Sequence, residues 1–339
     1  MSRAFHNPPG WPAAPDGWRP SAGWRPDPAW PPAPEGWVFW TETSLWPEPA
    51  PPGALPAEPH RSWLVRLAWL GTLAFGVATY VIVLRTMVET QNPNLFPTLL
   101  FIGAITVPCS ILLLAYGLGH RVGQHGALVA VAAVVGGVIG VISAGQLEYS
   151  TLRAMPGLGM VAVAVIEESV KMIVPLVIFL VVGRRTPGLG VVLGIASGAG
   201  FAVLETMGYG FTALLTSQGD LAAVDNTLML RALLSPSNHV AWTGTVCAAL
   251  WRFGEPARKG KVLVLLGAFA VAVALHATWD SSNSLIVHVA VAMASLGILI
   301  GTVVAGVIAS RRARRNVVAP ARSTGCRGGA DRPRRRPAR

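Results

Sequence analysis

The chain has 339 residues, of which 52% are hydrophobic and only 13% charged, with a mean hydropathy of +0.51. This composition excludes an ordinary soluble enzyme and describes a chain embedded in lipid. Its net charge of +11 suggests a nucleic-acid binder until it is located: residues 311–339 hold eleven arginines against Asp331 alone, and the remainder is nearly neutral.

The first 60 residues lack the basic start, apolar run and small-residue cleavage site of a signal peptide, so no presequence is expected. Sixteen of 27 prolines and seven of 12 tryptophans precede Ser62. Within this stretch NPPGWPAAPDGW (Asn7 to Trp18) recurs as PDPAWPPAPEGW (Pro26 to Trp37), offset by 19 residues. Too few aliphatic residues are present for a core, so an extended, polyproline-like tail is expected, with turns at Asp16-Gly17 and Glu35-Gly36. Because regularly spaced tryptophans are costly in water, a small module docking a protein partner or the membrane surface is the alternative.

From Trp63 onward, apolar stretches long enough to cross ~30 Å of hydrocarbon follow one another. Eight are expected: Trp63 to Leu84, Leu95 to Gly117, Ala127 to Gln146, Leu158 to Val182, Gly188 to Leu214, Pro236 to Phe253, Val262 to Ser282 and Leu285 to Ile308. The fold class is therefore all-α, a polytopic membrane bundle over residues 63–310, with a cytoplasmic extension (1–62) and a disordered basic tail (311–339). Glycines four residues apart, at Gly136/Gly140, Gly190/Gly194/Gly198 and Gly297/Gly301, predict close helix contacts. Cys109, Cys247 and Cys326 are odd in number and widely separated, which argues against a disulfide framework or a paired-cysteine metal site.

Short-loop basic residues set orientation. Arg121, Arg184, Arg185, Arg252, Arg258, Lys259 and Lys261 fall on one side with the arginine tail. Arg85, Arg153 and Arg231 fall on the other, offset by Glu89, Glu148, Asp220 and Asp225. Both termini are thus placed in the cytoplasm of a multi-pass cell-membrane protein. The tail reads as a topology anchor that binds anionic lipid, and no nucleic-acid partner is expected, since no folded reader accompanies it.

Ionisable side chains at bilayer depth cost ~2.5–3.5 kcal/mol each on insertion scales, so each asks for a partner or a role. They gather in four consecutive spans. The fourth has Glu167, Glu168 and Lys171; the fifth, Phe201, Glu205 and Tyr209; the sixth, His239; the seventh, His276 and Asp280. Lys171 can meet Glu167 four residues back and Glu168 three back, whereas the adjacent glutamates point ~100° apart and cannot share one role. Tyr209 stands one turn from Glu205, and Asp280 one turn from His276. With alternating helix directions, Glu167 sits ~14 Å below the outer face, Glu205 ~9–15 Å, His276 ~9 Å, and His239 and Asp280 within ~5 Å. Ser235-Pro236 reads as an N-cap and first helical residue, placing His239 in the first turn of its span. His120, His125 and His288, without carboxylate company, read as interface residues.

Carboxylates and imidazoles at matched depth suit hydrolysis by an activated water. Glu167 or Glu168 would take the proton. Glu205, His239 and His276 would bind zinc or another divalent metal or, without metal, polarise the peptide carbonyl. Asp280 would orient His276. HExxH and GxSxG are both missing.

The ordered set Glu167-Glu168-Lys171, Phe201-Glu205-Tyr209, His239 and His276-Asp280 resembles the PrsW-type intramembrane proteases, relatives of the CAAX prenyl proteases and bacteriocin-processing enzymes. The likeness spans roughly Trp63 to Ile308. It implies cleavage of a membrane-protein substrate, such as an anti-sigma factor, from the outer side, by a metallo- or glutamate-dependent mechanism. The CAAX branch typically has EExxxR, FxxxH and HxxxN, and this chain departs at each, which argues against prenyl-protein processing. The rival readings are a proton- or ion-coupled transporter or channel, for which no inverted repeat is seen, and a non-catalytic scaffold.

Overall fold

A computed structural model of the protein describes residues 2–12, 18, 20, 23–43, 63–117, 125–182, 188–254 and 260–318. The Asp16-Gly17 turn, the loop cations Arg121, Arg184, Arg185, Arg258 and Lys259, His120, Cys326 and the tail beyond Val318 lie outside these residues. Met1–Pro59 and His60–Arg339 form separate compact units.

In the first unit the strands β1 (Ser2–Phe5) and β2 (Trp40–Thr43) pair antiparallel, with Phe5 opposite Trp40. The repeat closes on itself: Trp11 and Trp30, equivalent positions in its two copies, meet at 5.2 Å between ring centroids, and Trp11 Nε1 donates to Pro31 O at 2.7 Å. Phe5 packs against Trp18 and Trp24, and Trp37 Nε1 donates to His6 O at 3.2 Å. The expected Glu35-Gly36 turn is present, with Gly36 at φ +80°. The described part of this segment is therefore a closed ribbon rather than an extended tail, because indole rings supply the apolar contacts that aliphatic residues do not.

The second unit is helical. Its helices are α1 (Trp63–Thr90), α2 (Phe96–Gly117), α3 (Gly126–Ala154), α4 (Gly159–Lys171), α5 (Ile173–Val181), α6 (Leu189–Thr216), α7 (Leu221–Leu234), α8 (His239–Trp251), α9 (Lys261–Asp280) and α10 (Leu285–Val318). Six of them, α1, α2, α3, α6, α9 and α10, are long and apolar enough to cross a membrane unaided. The other two expected spans differ. The fourth divides into α4 and α5, and the sixth contains only the 13 helical residues of α8. The segment expected to join the fifth and sixth spans is itself a helix, α7, whose N-cap Asp220 accepts from Ala222 N.

The α4–α5 break has a local cause that matters for the site. Pro175 has no N–H, so it cannot bond the carbonyl of Lys171 four residues earlier. Ser197 Oγ of α6 donates to that freed carbonyl at 2.8 Å, and the bond ties the Lys171 turn to α6. A similar correction applies before α8. Ser235-Pro236 opens a 3₁₀ turn (Ser235–Ser237) rather than the α-helix, and α8 itself begins at His239.

Glycines allow α6 to be wrapped closely. A Cβ at Gly194 would meet Thr243 O and Gly244, and one at Gly198 would run into the His239 carbonyl; on the other flank, Gly136 lies against Ser197 and Gly140 against Phe201. The expected contacts at Gly136, Gly140, Gly190, Gly194 and Gly198 are thus present. Gly297 and Gly301 face open space instead, with nothing within 4 Å of a built Cβ.

Candidate active site

The tight α6–α8 approach brings the start of α8 beside the middle of α6, and α4 and α9 close the remaining sides. Each contributes ionisable groups to one buried cluster. Lys171 is 0% exposed, Glu168 1% and His276 1%; at such depth an unpaired charge would be prohibitive. All three are paired.

Lys171 Nζ lies 2.8 Å from Glu168 Oε1 and 3.1 Å from Glu167 Oε2, the pairings expected from one helix face. It also reaches across to His239 Nδ1 at 2.6 Å and sits 4.4 Å from the centre of the Phe201 ring. The two imidazoles share a pattern. His239 turns Nε2 to Glu205 Oε2 at 2.8 Å and Nδ1 toward Glu167 Oε2 at 3.9 Å. His276 turns Nδ1 to Glu168 Oε1 at 3.0 Å and Nε2 toward Glu167 Oε2 at 3.6 Å and Asp280 Oδ2 at 3.1 Å. Both rings therefore aim one nitrogen at Glu167 while a second glutamate holds the other.

That arrangement fits a metal centre. Ligand atoms of Glu167, His239 and His276 all lie within 4.8 Å of one another, and two imidazoles with one carboxylate leave a fourth position for water, as in catalytic zinc sites. The glutamate behind each ring nitrogen is the partner that fixes the tautomer and orientation of a ligating histidine. Glu167 Oε2, the oxygen that faces both imidazoles, makes no hydrogen bond and has the Lys171 ammonium at 3.1 Å as an ion-pair partner. Of the residues expected to bind a metal, His239 and His276 fall in this group together with Glu167, while Glu205 lies on the other side of the His239 ring, at Nε2.

Glu205 is held there by a residue that the loop-charge count treated only as a topology marker. Arg231 of α7 donates from Nη2 to Glu205 Oε2 at 2.6 Å and from Nε to Thr206 Oγ1 at 3.0 Å. Its guanidinium lies 4.2 Å from the centre of the Tyr209 ring, so Tyr209 serves Glu205 indirectly, as a platform for the arginine. Sequence spacing gives no hint of this bond between helices; the only clue is an arginine shortly before His239 in a chain poor in membrane-depth cations. Trp242, one turn into α8, was also overlooked. It stacks on His276 at 4.7 Å and 24°, and its Nε1 donates to Ser295 Oγ at 2.9 Å. His288 stays apart from the cluster, with Nε2 at 3.1 Å from Trp279 O.

A family model described as PrsW family intramembrane metalloprotease matches residues 108–309, a stretch that contains every residue of this cluster. No curated protein and no solved structure matches the chain.

Proposed function

Because the chain belongs to the PrsW family of intramembrane metalloproteases, we propose that it hydrolyses a peptide bond in a single-span membrane protein of the anti-sigma-factor type, close to the outer face. The observation that carries this reading is the convergence of Glu167, His239 and His276 inside an apolar helical bundle. Depth and side follow from the loop charges: with both termini cytoplasmic, the cluster lies in the outer half of the bilayer.

A divalent metal held by Glu167, His239 and His276 would acidify a bound water and polarise the scissile carbonyl. The chain's own groups supply the rest. Glu205 and Glu168 fix the two rings, Arg231 fixes Glu205, and Lys171 offsets the charge of Glu167 and Glu168 without leaving the low-dielectric interior. Asp280 and Glu205 have side chains 29% and 18% exposed, so water and substrate enter past them rather than past the sealed Glu168.

A second reading is favoured by Lys171 Nζ, which stands between Glu167 and His239 where a cation is needed. Here Glu167 is the general base and the imidazoles polarise the carbonyl without metal. The basic tail anchors on anionic lipid in either case.

The purified chain, assayed for zinc and for cleavage of a co-expressed single-span protein, tests both versions. Glu167→Gln, His239→Ala and His276→Ala are each expected to abolish cleavage at unchanged protein level, and the histidine variants to lose stoichiometric zinc. Full cleavage by all three removes the enzymatic claim. Full cleavage by metal-free wild type rejects the metal version alone.

A further inference from the structure

Five carboxylates surround the cluster, and one of them behaves differently. Glu167, Glu168, Glu205 and Asp280 each lie within ion-pair distance of a lysine, arginine or histidine. Glu148 of α3 has no such partner among the described residues, and its Oε1 is buried without any hydrogen bond. It is nevertheless close enough to feel the charges of Glu167, Glu205, Lys171 and His276.

Helix register explains this position. Val141 and Ala144 pack with Ile166, Val170 and Phe201, and Glu148 is the next residue on that face, one turn beyond Ala144. Gly136 lies against Ser197 and Gly140 against Phe201, so α3 and α6 run parallel here. Ala144 shares a buried cluster with Phe201 and Val170, so Glu148, one turn further on, lies beyond that layer on the face of α3 turned to α4 and α6.

An orphaned, buried acceptor is costly unless a donor arrives, on the order of 1–3 kcal/mol or more for a charged group. An intramembrane protease brings such a donor. A peptide bond must leave its helix before it can be attacked, and its flanking N–H groups then have no water to bond at this depth. Resting on the proteolytic reading above, we infer that the half-buried carboxyl group of Glu148 accepts a hydrogen bond from a backbone N–H of the unwound substrate beside the scissile bond. Recognition of this kind is independent of side-chain sequence. It selects for a segment that unwinds, not for a residue type.

The probe is a synthetic single-span peptide with a Gly-Gly pair near its outer end, and a second version N-methylated at that pair so that the N–H is missing. Affinity is read by fluorescence anisotropy and cleavage by mass spectrometry on the same reconstituted samples of the full chain. Wild type is expected to bind the N–H peptide about ten-fold more tightly than the N-methyl one, the scale of one hydrogen bond. Glu148→Ala is expected to bind both alike, and Glu148→Gln, which keeps a carbonyl acceptor, to retain most of the preference. Zinc content should be unchanged in both variants. The inference is overturned by equal preference in wild type and Glu148→Ala, by no binding of the N–H peptide to wild type, or by loss of zinc from Glu148→Ala. Binding preference without cleavage of any peptide would leave the hydrogen bond standing and count against the proteolytic reading.

Discussion

α1 and α6 are both 28-residue apolar helices, yet 78% of the apolar window of α6 is buried by its neighbours against 11% for α1. Hydropathy alone does not separate them. Two sequence features do: α6 carries Gly190, Gly194 and Gly198 against α8 and Gly200 against α3, and it carries Glu205. The lipid-facing helix presents large side chains such as Phe75, 72% exposed, and Val77, 52% exposed, which lipid solvates as well as protein would. The wrapped helix presents backbone instead, which lets α8 approach until His239 reaches Glu205. Close packing and ionisable chemistry thus coincide because the first is the means of bringing the second together.

The sharpest break of this contrast is at the cluster itself. Glu167→Gln should reduce cleavage by ~10²–10⁴-fold, the range for loss of a group that acts directly on the reacting water, while size-exclusion behaviour stays that of wild type. Phe75→Ala on α1 should leave cleavage within about two-fold, since no protein contact depends on it. If the α1 variant were equally inactive, the distinction between wrapped and lipid-facing helices would be lost.

Packing comes next in size. Gly198→Ala places a methyl group against the His239 carbonyl, so α8 must move outward, at a cost of ~1–3 kcal/mol. Both thermal stability in detergent and cleavage should fall. A loss of stability without loss of cleavage would show that His239 does not need its present distance from Glu205.

Arg231 sharpens the comparison further, because it acts on the site from α7, a helix of only 14 residues. Arg231→Ala frees Glu205 and should reduce cleavage by roughly 10- to 100-fold, the usual effect of removing a partner behind a metal ligand. Arg231→Lys should recover only part, since one ammonium cannot serve both Thr206 and Glu205 in the fork that Nε and Nη2 provide. Equal activity of the alanine and lysine variants would reduce Arg231 to a packing residue.

Much of this was legible in the residues. Spacing placed Lys171 over Glu167 and Glu168, and alternating helix direction put the acids and imidazoles at one depth, as their mutual contacts require. Three things were not legible, each for a physical reason. The tie from the Lys171 turn to α6 depends on Ser197, 26 residues away, taking the carbonyl that Pro175 leaves free. The hold on Glu205 comes from Arg231 reaching it from another helix, which no helical periodicity encodes. In the first unit the 19-residue repeat was visible, but its closure was not, because hydropathy counts an indole as one more apolar residue and not as a ring that packs against its repeat-mate at a tilt of 49°.

The smallest expected effect concerns that unit. Trp11 contacts Trp24, Trp30 and Phe39 and anchors to Pro31 O, so Trp11→Ala should open the ribbon. Tryptophan emission of the full chain should shift to the red and the segment should become an early site of limited proteolysis. Cleavage of substrate should stay within about two-fold of wild type, because every group placed in the chemistry belongs to the helical unit. A large loss of cleavage would mean that substrate reaches the cluster with help from the aromatic ribbon. The assignment of substrate handling to the helical unit alone would then fail at its simplest point.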